Sequence, residues 1–252
     1  MYREFRPDQR LRPFVECGWL RSGLTAPSIR VMPDGCVDVF VTADGDVMIS
    51  GPADTFYDMP TGNRDVLAGL RLRPGVAAAV IGSPASEFTN MRVPLDSAFG
   101  FAGRRMAETR VEAATPTQRI SLLGDLVLDY FATVEPLLDR PVAWAVSVLR
   151  THPGRPVSAL ADEVGLSERQ LRRRFEVAVG YGPKRLGRVF RFQWLLDLIH
   201  ASHDGPRWSQ LALAAGYADQ SHMINECVAL AGGPPTTLPV SVSSNTGAAQ
   251  PS

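Results

Sequence analysis

Ser158-Ala159-Leu160-Ala161-Asp162-Glu163-Val164-Gly165-Leu166 returns 51 residues later as Ser209-Gln210-Leu211-Ala212-Leu213-Ala214-Ala215-Gly216-Tyr217. After one extra residue the match resumes at a spacing of 52, pairing Ser167 with Asp219, Leu171 with Met223, Phe175 with Cys227, Gly180 with Gly232 and Pro183 with Pro235. Self-similarity of this kind marks one supersecondary unit used twice. Leu160, Ala161 and Val164 recur at helical spacing, and Ala161 is small enough for a second helix to cross closely. Gly165 and Gly216 stand where the chain must leave a helix at positive φ. Ser167 with Gln170 three residues on is a capping box, and Asp219 is an equally good N-cap. Each copy reads as helix, tight turn, helix.

Between the copies, Pro183 to Ser202 predicts one long helix with Leu186, Val189, Phe190, Leu195, Leu198 and Ile199 as its apolar positions, ended by Gly205-Pro206. Twenty residues at a rise of about 1.5 Å span about 30 Å. That is close to the roughly 34 Å between successive major-groove faces of a duplex, so the spacing predicts a chain that reads two adjacent turns of DNA.

The helical wheel then separates inward from outward residues. In the first copy Leu171 and Phe175 point inward, leaving Arg169, Arg172 and Arg173 outward as base-contact candidates, since arginine pairs bidentately with guanine O6 and N7. Arg174 lies nearer the buried edge and is expected to position the helix on phosphate, with Ser167, Lys184, Arg188 and Asp219 as further phosphate contacts. In the second copy Met223 and Cys227 point inward and Gln220, Ser221, Ile224 and Asn225 outward. Gln and Asn suit adenine and Ile224 suits a thymine methyl, but this face carries no positive charge.

Charge distribution agrees with that division. The whole chain of 252 residues is neutral, with 26 basic and 26 acidic residues, which argues against a generic nucleic-acid coat protein. Residues 1–149 hold 15 Arg against 18 acids, and residues 150–252 hold 11 basic residues against 8 acids. Within 167–191 there are eight basic residues and two acids, a local excess of six positive charges suited to phosphate.

The second copy, written Trp208-Ser-Gln-Leu-Ala-Leu-Ala-Ala-Gly-Tyr217-Ala-Asp-Gln-Ser-His222, closely resembles the AraC/XylS family of bacterial transcription regulators. The resemblance spans about residues 140–239 and takes in a first helix, Val142-Ala-Trp144-Ala-Val-Ser-Val148-Leu149. The family usually has an aromatic where Cys227 stands, an arginine where Asn225 stands, and Gly-x-Ser-Pro where this chain has Gly232-Gly-Pro-Pro235. Upstream, Met32-Pro-Asp-Gly35-Cys-Val-Asp38, Gly51-Pro52 and Leu72-Arg-Pro-Gly75 resemble the cupin-like N-terminal domain of one AraC-type subgroup. That resemblance implies a sensory domain, a small-molecule effector, double-stranded DNA as partner, and RNA polymerase as partner if the protein activates.

The N-terminal residues read independently as β structure. Val37–Val41 and Val47–Ile49 are β-branched runs split by Ala43-Asp44-Gly45-Asp46, a hairpin signal. Further strands are expected at Ile29–Met32, Val66–Leu72 and Ala77–Ile81, with turns at Pro33-Asp34-Gly35, Gly51-Pro52 and Arg73-Pro74-Gly75. The expected class is α+β: a small β-barrel or jelly-roll-like domain, then an all-α domain of two helix-turn-helix units joined by a long helix. The expected divisions are 1–115 for the β-rich effector-sensing part, 116–139 for a helix, 140–239 for DNA binding, and 240–252 for a polar, disordered tail. Ile120, Leu123, Leu126, Val127, Tyr130 and Phe131 make the 116–139 helix either a homodimer contact or a plain connector, and both readings stay open. Trp19, Phe40, Phe56, Tyr57 and Arg71 are the candidate lining of an effector pocket.

Other functions find less support in the residues. All four histidines, His152, His200, His203 and His222, lie in the C-terminal third, so the N-terminal part has none for a histidine-ligated metal or a nucleophile–histidine pair. Cys17, Cys36 and Cys227 are too few and too far apart for a disulfide framework or a four-cysteine zinc site, and are expected as small core residues. No metal, cofactor or enzymatic activity is expected. The segment Met1–Pro7 lacks the apolar core of a signal peptide, which points to the cytoplasm. An AraC-like fold that acts through protein contacts with little DNA recognition is the alternative reading, and an enzyme the more distant one.

Overall fold

The computed structural model describes residues 2–22, 28–42, 45–60, 66–95, 115–133, 135–202 and 207–238. Eight strands come first: β1 (Tyr2–Phe5), β2 (Val15–Arg21), β3 (Ser28–Val31), β4 (Val37–Val41), β5 (Val47–Ser50), β6 (Tyr57–Pro60), β7 (Leu67–Leu72) and β8 (Arg92–Pro94). Six of them form an antiparallel sheet in the order β1-β2-β7-β4-β5-β8, and β3 pairs with β6 as a separate ribbon. The expected hairpin is present, with Val39 opposite Ile49 and Val41 opposite Val47. Residues 43–44 of its turn and the 240–252 tail lie outside the described residues, as does Gly205-Pro206.

Alternation along the strands divides the sheet into two faces. Val37, Val39, Val41, Ile49, Leu70 and Leu72 point to one side and build the main core of this domain. Helix α1 (Ala77–Ile81), a 3₁₀ turn at Ala85–Phe88 and helix α2 (Pro116–Thr133) close over them, contributing Val80, Ile81, Phe88, Leu123 and Val127. The opposite face presents Trp19, Phe40, Asp38 and Arg71, and the β3–β6 ribbon covers it with Val31, Tyr57 and Met59.

Ala77–Ile81 is a correction, since a strand is expected there and a helix forms. Three successive alanines favour a helix over a strand, and Gly82 ends the turn at φ 80° with its N–H on the Ala78 carbonyl. The expected helix over 116–139 ends at Thr133, and its Leu123 and Val127 are spent on the sheet domain's core.

The C-terminal half is helical: α3 (Arg140–Thr151), α4 (Val157–Glu163), α5 (Glu168–Val179), α6 (Pro183–Ala201), α7 (Trp208–Ala214) and α8 (Gln220–Ala231). Asp139 caps α3 by accepting from the Val142 N–H at 3.1 Å, ahead of Pro141 in the first turn, where a missing N–H costs nothing. One core joins Val142, Leu149, Leu160, Ala161, Leu171, Phe175, Leu186 and Phe190, and a second joins Phe192, Leu195, Leu196, Ala212, Tyr217, Met223, Cys227 and Leu230. Helix α6 therefore serves both cores, its first half for α4–α5 and its second half for α7–α8. Gly165 at φ 67° and Gly216 at φ 79° make the two inter-helix turns, as the repeat requires. The α+β class expected from the sequence is the one adopted. Among the described residues no helix is long and apolar enough to cross a membrane.

Candidate nucleic-acid interface

Helix α5 starts on the expected capping box. The Gln170 N–H donates to Ser167 Oγ at 3.3 Å, and the Ser167 N–H donates to Gln170 Oε1 at 2.9 Å. With Leu171 and Phe175 fully buried, Arg169, Arg172, Arg173 and Arg174 all stand exposed. Arg172 Nη2 rests 2.8 Å from Glu168 Oε2 one turn back. Arg174 instead leans 3.4 Å from Asp139, tying α5 to the start of α3.

Helix α8 starts on Asp219, whose Oδ1 accepts from the His222 N–H at 2.7 Å. Met223 and Cys227 are fully buried beneath it. Gln220, Ser221 and Asn225 are exposed, while Ile224 is half-buried against the second core. Its outer face is thus neutral, as the sequence suggests, with three polar residues free to meet a partner.

Two adjoining grooves, of about 550 and 570 Å³, run between the units. Lys184 and Arg188 line both, with Arg172 and Arg185 in one and Arg155, Arg191, His222 and Glu226 in the other. Five of the eight basic residues of 167–191, Arg172, Lys184, Arg185, Arg188 and Arg191, thus converge with Arg155 on one cleft between the two capped helices. A cleft lined mainly by cations concentrates positive potential where a polyanion's phosphates would lie. Glu226 shapes this potential: Arg188 Nε donates to its two oxygens at 3.0 and 3.1 Å, and Arg191 Nη2 reaches it at 3.4 Å. Neither Glu226 nor Arg155 is among the residues the sequence singles out. Arg155, which pairs with Glu163, lies outside the repeat, and a single acid on a neutral face carries no periodic signal.

The candidate effector residues come together in part. A cavity of about 30 Å³ between the sheet and the ribbon is lined by Trp19, Phe40, Tyr57 and Arg71. Phe56 is a correction: neighbouring residues entering a strand face opposite sides, so with Tyr57 in the cavity the Phe56 ring turns to the second helical core, 4.4 Å from the Arg30 guanidinium. Arg71 is buried and forked onto Asp38 at 3.1 and 3.2 Å, with Asp34 3.5 Å away. Arg71 Nη1 lies 3.9 Å from Glu4 Oε1, and the Trp19 indole N–H is directed to the Asp38 carboxylate. Tyr57 Oη meets Ser50 Oγ at 3.0 Å under the guanidinium of Arg92, and burial pushes the Tyr57 hydroxyl's pKa up.

A helix-turn-helix domain family matches residues 160–238, the two units built above. This part of the chain belongs to a helix-turn-helix domain family. Residues 3–94 match a domain family of unknown function, DUF6597. No curated protein matches the chain significantly. Among solved structures the chain is similar to ToxT from Vibrio cholerae. An apo variant has 10% identity and a TM-score of 0.41, over 94% of each chain. A form bound to (E)-4-(8-methylnaphthalen-1-yl)but-3-enoic acid has 8% identity and a TM-score of 0.43, over 93% of this chain and 97% of that one.

The departure from the AraC/XylS pattern at Cys227 has a local account. Cys227 fills a fully buried position under α8, where a small side chain leaves room for Phe192 and Leu195 of the same core. Tyr217 is buried beside it, its ring 4.7 Å from the Arg191 guanidinium and edge-on to His222 at 5.4 Å. The Gly-Tyr-x-Asp-Gln-Ser-His stretch is therefore a packed corner that aims the start of α8.

Proposed function

We propose that this chain is an AraC-type DNA-binding transcription regulator that responds to an effector and reads two adjacent major-groove segments of one duplex, working in the cytoplasm. Arg169, Arg172 and Arg173 are the base-reading residues of the first unit, and Gln220, Ser221, Ile224 and Asn225 those of the second. The observation that carries this reading is the exposure of the three arginines on a fully capped helix beside the cleft lined by Lys184 and Arg188. Ser167 and Asp219 have their side chains engaged as caps, so their phosphate contacts fall to the helix N-termini they hold open. Lys184, Arg188 and Arg174 supply charge to the backbone. The first unit dominates affinity because the outer face of the second is neutral.

Trp19, Phe40, Tyr57 and Arg71 form the effector site, with the Arg71 guanidinium and the Trp19 indole N–H as the donors an effector's acceptor atoms would meet. RNA polymerase is the partner if the protein activates, and a homodimer is the expected assembly if α2 pairs.

A gel-shift titration across salt, on duplexes selected by the full-length protein from a random pool, tests the DNA reading. Sequence-preferring binding with a log–log salt slope of about −0.9 per phosphate contacted is expected. Absence of binding at low salt overturns it.

A further inference from the structure

Residues Gly51–Phe56 join β5 to β6, and both flanking residues, Ser50 and Tyr57, line the cavity. This short segment also reaches the C-terminal ends of both reading helices. The last carbonyls of a helix have no partner inside it. At α8 three consecutive ones are satisfied by the sheet domain: the Thr55 hydroxyl donates to the Ala229 carbonyl at 3.1 Å, the Phe56 N–H to that of Leu230 at 2.8 Å, and Arg30 Nη1 to that of Ala231 at 3.3 Å. Gly232, at φ 76°, sits so close to the Phe56 ring that a Cβ would come within 2.5 Å of it.

The same segment holds the first unit. Gly180 ends α5 at φ 97° and lies so close to Pro52 that a Cβ there would fall 2.5 Å from the proline ring. The Thr89 hydroxyl donates to the Gly180 carbonyl at 3.0 Å, and the Tyr181 hydroxyl donates to the Ala53 carbonyl at 3.3 Å. Asp54 pairs with Arg185 in the first turn of α6 at 2.6 Å and is itself held by the Asn90 amide at 2.8 Å. Each unit has its own core, and the two share α6. The segment adds a further tie between them, holding the ends of α5 and α8 and the first turn of α6 together from the sheet domain.

We propose that Gly51–Phe56 is a clamp that fixes the spacing and phase of the two reading helices, and so decides which separation of DNA half-sites the protein accepts. The proposal rests on the two-unit DNA reading above. Asp54, Thr55 and Phe56 are positioning residues, Asp54 acting through the first turn of α6 next to the end of α5 and Thr55 and Phe56 through α8, rather than on DNA. Because both ends of the clamp are cavity wall, a change in the cavity is delivered to both helix ends at once.

The test compares the full-length protein with Asp54→Ala/Thr55→Val and, separately, Phe56→Leu. The probes are duplexes that the unaltered protein selects from a random pool, resynthesised with one or two base pairs inserted between the recognised halves. One inserted pair turns one half by about 35° relative to the other, and a rigid pair of units is expected to lose about tenfold in affinity for it. The double variant is expected to lose less than about threefold, to keep the salt slope, and to exchange its Phe56 and Gly232 amide hydrogens faster. Unchanged spacing discrimination in the double variant overturns the clamp, and so does unchanged exchange. If Phe56→Leu fails to fold, the double variant, which leaves the packed ring in place, decides alone. If the unaltered protein selects no sequence, the DNA reading fails, and the amide exchange still judges the clamp.

Discussion

Arg188 and Glu226 meet across the two helix-turn-helix units, Nε 3.0 Å from Oε1 and Nη2 2.8 Å from it, with the carboxylate largely buried. Glu226 belongs to α8 and Arg188 to α6, so this pair is a tie between the joining helix and the second reading helix. Removing Arg188 leaves the buried Glu226 carboxylate with only the longer 3.4 Å contact to Arg191, close to the costly case of a broken buried ion pair. Arg188→Ala is expected to lower stability by about 1–3 kcal/mol. In gel shifts it should loosen binding through the second unit. A thermal melt unchanged from the parent, with a salt slope reduced by about one phosphate contact, would assign Arg188 to DNA alone.

Among the described residues Arg172 pairs with Glu168 alone, in an exposed pair one helical turn apart. Such a pair is worth about 0–1 kcal/mol, so the arginine is released cheaply to a base. Arg172→Ala is expected to weaken specific binding by about 1–3 kcal/mol and to relax preference at one base pair, read by repeating the selection with the variant. Equal loss on every sequence would make it a phosphate contact.

Gly187 lets α6 pass against the chain after α3, since a Cβ there would come 2.3 Å from the Pro153 carbonyl oxygen. The helix-propensity gain of alanine is about 1 kcal/mol. The obstacle is backbone, so Gly187→Ala is expected to destabilise by about 2 kcal/mol net, lowering Tm by about 2–4 °C per kcal/mol. Gly154 is the control: an added Cβ meets nothing within 4 Å, and Gly154→Ala should melt at or slightly above the parent.

Cys17, Cys36 and Cys227 are all buried and unpaired by disulfides. Burial pushes the thiols of Cys17 and Cys227 up to about 12 and that of Cys36 well above its ordinary value. The thiolate is the reactive form, so at about pH 8 the native protein should react negligibly with a thiol reagent and release all its thiols only in denaturant. The folded state keeps protons that the unfolded state gives up above the ordinary thiol value of 9.0, so this contribution to stability is intact below that pH and falls as pH rises towards 12. A rapidly titrating native thiol would contradict the burial.

The DNA-binding half was legible because its determinants are local. Ser167 with Gln170, Asp219, Gly165 and Gly216 act within one helical turn of themselves, and Leu171 with Phe175 announces the buried side that leaves Arg169, Arg172 and Arg173 outside. The N-terminal half was legible only where β-branched residues cluster, as at Val37–Val41 and Val47–Ser50. At Ala77–Ile81 two β-branched residues suggested a strand, and the alanine run with Gly82 made a helix. β1, β2, β6 and β8 carry mixed residues such as Tyr-Arg-Glu-Phe, whose strand state depends on their neighbours in the sheet.

By itself the sequence determined that two capped helix-turn-helix units exist, which side of each is buried, and that the first is cationic and the second neutral. Those properties follow from periodicity and from hydrogen bonds that close within a few residues. Only the tertiary structure decided that Phe56 serves the second unit rather than the cavity, that Arg188 pairs with Glu226, and that one segment of the sheet domain holds the ends of both reading helices. Thr55 and Ala229 stand 174 residues apart. A contact over that distance leaves no pattern in either partner's neighbourhood, because it forms only when two separately built cores are brought face to face.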